Sequence, residues 1–127
     1  MLMTALAVAG GGALGALARF STVFLSQLIF GARFPVGTML VNCLGSFLIG
    51  FIMNILMQRL AGSAEIWRLF LVVGFLGAYT TFSSFAWETW VLYMNGQWLS
   101  ATLNILFTNL GTLFMVLLGI QSARMIA

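Results

Sequence analysis

The sequence predicts an all-α membrane protein with four transmembrane helices per subunit. Of its 127 residues, 62% are hydrophobic and only 6% are charged, whereas about a quarter of the residues in a soluble domain are charged. The uncharged stretches are long enough for helices that cross a bilayer, which takes about 20 residues. We therefore expect residues 1–127 to form a single transmembrane domain with helices at about 3–30, 36–60, 66–94 and 98–124.

Composition also excludes several functions. The five basic residues are arginines scattered singly along the chain, which is not the basic patch of a nucleic-acid-binding protein. With no histidine and only one cysteine, Cys43, the chain has no residues for a usual transition-metal site or a hydrolytic triad. We therefore do not expect an enzyme.

The arginines near the helix ends give a weak orientation signal. If the chain crosses four times, Arg59, Arg68 and Arg124 lie on the side of the N-terminus and Arg33 on the other side. Such a small bias permits insertion in one or both orientations. Four short helices also enclose little volume, so we expect a homodimer.

The first helix carries a small-residue face and a charge. Gly11 and Gly15 are spaced for close packing against another helix. Arg19 either snorkels to the headgroups from a helix end or, if the helix continues to residue 30, lines a vestibule.

Helices two and four each carry a polar stripe at intervals of four residues, which places each stripe on one helix face. The members are Thr38, Asn42 and Ser46 on helix two, continued by Gly50 and Asn54, and Asn104, Thr108 and Thr112 on helix four. Interhelical hydrogen bonds, or bonds from threonine hydroxyls to their own helix, would explain each residue singly. The presence of two parallel stripes favours the interpretation that these residues line a pore.

The third apolar segment contains weak helix formers in its middle, over residues 74–85. Either it kinks there only to pack, or it is broken near mid-membrane and presents backbone carbonyls to a small cation such as Na⁺. Phe82 and Phe85 share one helix face, and their ring edges would favour a small anion. Glu88 faces a wet vestibule, pairs with an arginine or lies near the membrane edge. These features together predict an ion-conducting dimer with walls compatible with an anion.

Three ordered motifs resemble those of the CrcB/Fluc fluoride channels. Residues 11–20, GGALGALARF, resemble the opening GGxxGAxxR motif of that family. Residues 37–47, GTMLVNCLGSF, resemble GTLxVNxxGxF, and residues 74–85, GFLGAYTTFSSF, resemble GFxGGxTTFSTF.

The resemblance implies an antiparallel, dual-topology homodimer with two fluoride pores, in the inner membrane of a prokaryote. It would export fluoride passively, and its partners would be fluoride, lipid and its own second copy. Carbonyls of Gly77 and Thr80 from both subunits would hold a structural Na⁺ at the dimer centre. The implied vestibule residues are Arg19 and Glu88. The implied pore residues are Asn42, Phe82, Ser83, Ser84, Phe85, Asn104, Thr108 and Thr112.

The chain departs from the family pattern at three positions. Ala78 replaces a glycine, Ser84 replaces a threonine, and Val116 stands where some members continue the polar track. The first two changes are small, and a cation site built from carbonyls is expected to tolerate them. Val116 affects only how far the track extends.

Two other functions remain as alternatives. A proton-coupled exporter like the small multidrug-resistance transporters needs a carboxylate in its first helix, and this chain has none there. A purely structural subunit does not account for the paired polar stripes.

Overall fold

The computed structural model describes residues 1–59 and 62–126, and all regular structure in these residues is helical. The four long helical stretches are apolar enough to cross a membrane, which confirms the predicted fold class at this level. The chain is thus a multi-pass membrane protein. The predicted end of the second helix, near residue 60, lies outside the described residues, as does residue 127. The spans are Leu2–Phe30, Val36–Arg59, Ala64–Met94 and Trp98–Ile126.

The first, second and fourth spans are single helices, α1 (Leu2–Phe30), α2 (Val36–Arg59) and α6 (Trp98–Ile126). The third span is composite. It comprises α3 (Ala64–Trp67), a π-helical segment (Arg68–Leu76), α4 (Gly77–Tyr79) and α5 (Phe82–Met94).

The π-helical segment is a feature that the sequence analysis did not predict. Apart from Arg68, each of its nine residues is apolar or glycine, so hydrophobic periodicity cannot distinguish a wider helix from an ordinary one. Segments of this kind occur often at functional sites. Here the segment leads directly into the weak helix formers of residues 77–85.

Glycines at two helix ends have backbone conformations that other residues rarely adopt. Gly31, directly after α1, has φ 79°, and Gly96, between α5 and α6, has φ 74°. Because glycine has no Cβ, it populates positive φ at little cost. The two turns therefore bring neighbouring spans back across the membrane.

Close helix packing positions the third and fourth spans. The small-residue face of α1 lies against the π-helical segment, since a Cβ added to Gly11 or Gly15 would overlap the carbonyls of Phe70 or Phe75. Helix α2 packs along α6 in the same way, with Gly119 against the backbone of Phe47. Such approach of backbones drives helix association where lipid supplies no hydrophobic force.

Candidate functional site

The backbone of the third span leaves the helix at two residues. Thr80 has φ −85° and ψ 158°, and Thr81 has φ −153° and ψ 112°, so both are extended. Tyr79, the last residue of α4, is buried, and its hydroxyl lies 3.2 Å from Oγ1 of Thr22 on α1. This contact ties the end of α4 to the first span.

Asn42 of α2 satisfies the extended backbone. Its Oδ1 accepts a hydrogen bond from the N–H of Thr81 at 2.8 Å, and its Nδ2 donates to the carbonyl of Thr81 at 3.1 Å. A backbone group without a partner is costly in lipid. The amide oxygen therefore accepts the N–H that Thr81 would donate within a helix, and the amide nitrogen gives the Thr81 carbonyl a partner.

Thr81 itself caps the helix that follows. Its Oγ1 accepts from the N–H of Ser84 at 3.2 Å and donates to Oγ of Ser84 at 3.0 Å. Oγ of Ser83 lies 3.4 Å from the same hydroxyl. Such side-chain bonds at a helix N-terminus replace missing intrahelical ones.

These bonds free two carbonyls that a continuous helix would cover. In an α-helix the N–H of each residue donates to the carbonyl four residues earlier. The N–H groups of Thr81 and Ser84 would thus donate to Gly77 and Thr80, but both are engaged by side chains instead. The N–H of Thr80 still donates to Leu76, at 3.0 Å.

The freed carbonyls belong to residues that line a cleft of about 360 Å³ between the second, third and fourth spans. This cleft brings together seven of the predicted site residues. They are Asn42, Gly77, Thr80, Phe82, Phe85, Thr108 and Thr112. None of the residues lining the cleft carries a charge.

Three further polar residues line the cleft and were absent from the predicted site. Ser46 bonds its own helix, with Oγ 2.7 Å from the carbonyl of Asn42, and its place in the stripe of helix two was the signal for it. Asn109 donates from Nδ2 to the carbonyl of Ile105 at 2.7 Å. Its only signal was an amide in an apolar helix. Thr81 belongs to the third motif, but the resemblance implied a role only for its neighbour Thr80, so Thr81 was not predicted.

The two phenylalanines after the interruption differ in exposure. Their ring centroids are 5.4 Å apart with the planes tilted by 56°. Phe85 is 7% exposed, whereas Phe82 is 76% exposed. The Phe85 ring is thus fixed by the chain itself, and the Phe82 ring projects from it.

The polar stripe of α6 divides into two parts. Asn104 is 1% exposed and lies outside the cleft lining, where Nδ2 donates to Oγ1 of Thr89 at 2.9 Å. Its Oδ1 accepts from Thr108 at 3.3 Å, which links it to the cleft indirectly. Thr112 bonds its own helix, donating to the carbonyl of Asn109 at 3.0 Å.

The two residues predicted for the vestibule line a separate cavity of about 310 Å³. Arg19 and Glu88 both line it, as does Ser84. Oε1 of Glu88 accepts from Oγ1 of Thr38 at 2.8 Å, and its buried Oε2 has no hydrogen-bond partner among the described residues. Within that part of the chain no ion pair joins Arg19 to Glu88.

Comparison with known proteins identifies the family. Residues 6–120 match the family described as CrcB-like protein, Camphor Resistance (CrcB). Proteins named "Fluoride-specific ion channel FluC" are similar over most of their length. The one from Legionella pneumophila is 49% identical over 94% of this chain and 88% of its own. Those from Hydrogenovibrio crunogenus and Coxiella burnetii are 46% and 42% identical, over 94% and 84% of this chain and 89% and 86% of theirs. The resemblance of the three motifs is thereby confirmed, and the chain belongs to the CrcB family.

Proposed function

We propose that the protein is a fluoride-selective ion channel that exports fluoride passively across the inner membrane of a prokaryote. The observation that carries this proposal is the uncharged cleft at the interruption of the third span, in a chain whose relatives are named fluoride-specific ion channels. In this role the protein is a channel and not an enzyme, and it lowers cytoplasmic fluoride and so protects against its toxicity.

The chemistry of the cleft suits a small anion. Only one of the two N–H groups of the Asn42 amide is used on Thr81, so the other is available to an ion in the cleft. The ring edges of Phe82 and Phe85 add weak positive potential. The hydroxyls of Thr108 and Thr112 donate within their own helix, and each would turn from that acceptor to donate to an ion. A carboxylate at the same place would repel an anion, and the cleft lining contains none.

The backbone carbonyls at the same interruption suit a small hard cation. Carbonyl oxygens are the ligands that such cations prefer, and the usual N–H donors to Gly77 and Thr80 are engaged elsewhere. We assign these two carbonyls to a structural Na⁺. Bound there, the cation would hold the interrupted backbone and neutralise its carbonyl dipoles.

Two carbonyls are too few for a cation site, which supports a homodimer, and we propose that its two subunits are antiparallel. Two subunits would contribute two each around one Na⁺ at the centre of the dimer, with a third span broken near mid-membrane. Gly77 and Phe82 are exposed in the single chain, as residues at such an interface would be. Because each subunit has one cleft, the dimer would have two pores.

The second cavity gives each pore an entrance. Arg19 lines it and would attract anions through its charge. Ser83 and Ser84, beside the hydroxyl of Thr81, would lie between this entrance and the cleft, since Thr81 lines both cavities. Asn104 would support Thr108 from behind the cleft wall.

The test is fluoride efflux from proteoliposomes, read with a fluoride electrode, with chloride efflux as the parallel control. We expect fast loss of fluoride, little loss of chloride and no need for a proton gradient. A well-folded protein that releases no fluoride would contradict the proposal. Drug and proton exchange through Glu88, whose Oε2 has no hydrogen-bond partner in the described part of the chain, would then be measured in the same vesicles.

A further inference from the structure

We infer that Asn42 is a positioning residue, which holds the third span interrupted so that the carbonyls of Gly77 and Thr80 stay available. Its amide bonds both backbone groups of Thr81, 39 positions away in the sequence. Because the N–H of Thr81 donates to Asn42, it is not available to donate to the carbonyl of Gly77, as it would in a continuous helix. The inference rests on the proposed function, in which those carbonyls hold Na⁺.

The competing state is a continuous helix through residues 77–84. In that state the N–H of Thr81 would donate to Gly77 and the N–H of Ser84 to Thr80. Asn42 removes the first donor and Oγ1 of Thr81 removes the second. Without Asn42, the unpaired backbone of Thr81 would satisfy itself most readily by rejoining the helix, because lipid supplies no partner. The Gly77 carbonyl would then be covered.

One pair of labels reports on both ends of this arrangement. Thr80 and Thr81 form the only Thr–Thr pair in the sequence. Protein made with ¹³C-carbonyl, ¹⁵N-threonine therefore gives a single HNCO resonance, from the carbonyl of Thr80 and the N–H of Thr81. Titration with NaCl against choline chloride then measures Na⁺ binding at the carbonyl and the hydrogen bond to Asn42 in one spectrum.

The main variant is Asn42→Leu, and Asn54→Leu is its matched control. Asn54 lies on the same helix, and its Oδ1 accepts from Gln58 of that helix, at 2.5 Å. In Asn42→Leu we expect the Na⁺ midpoint to rise about tenfold or more, since each factor of ten is only about 1.4 kcal/mol, and the N–H resonance of Thr81 to move. Asn54→Leu should leave both unchanged.

A second pair of variants keeps the test decisive if Asn42→Leu does not fold. Thr81→Ala returns the N–H of Ser84 to the Thr80 carbonyl, whereas Thr81→Ser keeps the capping hydroxyl. Their Na⁺ midpoints are read from Na⁺-dependent thermal stabilisation of the purified protein. We expect a raised midpoint for Thr81→Ala and a midpoint near that of the wild type for Thr81→Ser.

The outcomes separate this inference from the proposed function. If Asn42 is only a fluoride donor, Asn42→Leu lowers fluoride efflux and leaves the Na⁺ midpoint and the Thr81 resonance unchanged, which overturns the inference. A wild-type protein whose resonance ignores Na⁺ also overturns it. A protein that conducts no fluoride, but whose Na⁺ response weakens in Asn42→Leu, supports the inference and contradicts the channel proposal.

Discussion

Gly45 of α2 faces the interruption of the third span, and an alanine there should disturb it. A Cβ added to Gly45 would lie closer than 3.0 Å to Cγ2 of Thr80, whereas ordinary contact begins at 3.4 Å. The Thr80 side chain cannot rotate freely to move Cγ2 away, because its Oγ1 donates to the carbonyl of Leu76 at 3.0 Å. Gly45→Ala therefore either breaks this bond or displaces Thr80 by roughly 1 Å.

The expected magnitude follows from these two routes. Overpacking costs about 1–3 kcal/mol, and a lost hydrogen bond costs about 0.5–1.5 kcal/mol. We expect the free energy of unfolding to fall by roughly 1–3 kcal/mol, within the range for overpacked sites. Fluoride efflux should fall about tenfold, which an effect of 1.4 kcal/mol on ion binding would produce. Thermal unfolding in detergent and electrode-read efflux from proteoliposomes measure the two effects.

A second substitution isolates the cause. Thr80→Ser removes Cγ2 and keeps the hydroxyl, so alone it should cost only about 0.8 kcal/mol, the value of one buried methylene. Combined with Gly45→Ala it should recover most of the lost stability and efflux, with a coupling energy of about 1 kcal/mol or more. The steric explanation would be refuted by a Gly45→Ala protein that behaves like the wild type, or by a double variant that recovers nothing.

Three further predictions concern packing and the pore wall. Gly11→Ala should destabilise the protein by about 1–3 kcal/mol, because its Cβ would overlap the backbone of the third span. Gly12→Ala should be tolerated, because the nearest atom to its Cβ would be 3.9 Å away. Equal thermal stabilities of the two variants would be evidence against this packing. Phe82→Ile and Phe85→Ile should each lower fluoride efflux while the proposed dimer persists in size-exclusion chromatography. Unchanged efflux in both variants would contradict a role of the rings in conduction. Asn42→Asp should block efflux because it places a negative charge in the proposed anion path, and normal conduction would contradict a direct contact between Asn42 and the ion.

The sequence predicts the membrane architecture well because that architecture depends on local properties. Length and apolarity alone determine whether a helix can cross a bilayer, and the four spans of the structure are such helices. The polar stripe of helix two could also be predicted from the sequence, since residues spaced four apart lie on one helix face whatever surrounds it. Asn42 and Ser46 do line one cleft.

The composite structure of the third span could be predicted from the sequence only in part. Weak helix formers mark residues 77–85, and the extended backbone of Thr80 and Thr81 falls among them. The π-helical segment before them has no such mark, because its apolar residues fit either helix type. This segment packs closely against Gly11 and Gly15 of another span, a contact that the sequence does not show.

The hydrogen-bond partners of buried polar groups could not be predicted from the sequence. Periodicity assigns a residue to a face, but the rotation and register of one helix against another determine what that face meets. Asn104 belongs to the predicted stripe and yet turns to Thr89, away from the cleft lining. Glu88 likewise bonds Thr38, 50 positions away in the sequence.

The sequence by itself therefore determined the four spans, the family and the polar residues from which a pore could be made. Only the tertiary structure decided that Asn42 bonds the backbone of Thr81 and that Thr81 caps α5. The physical reason is that an unpaired backbone group in lipid takes whichever partner packing brings within reach. Here that partner lies on another helix, and its position depends on how the spans assemble.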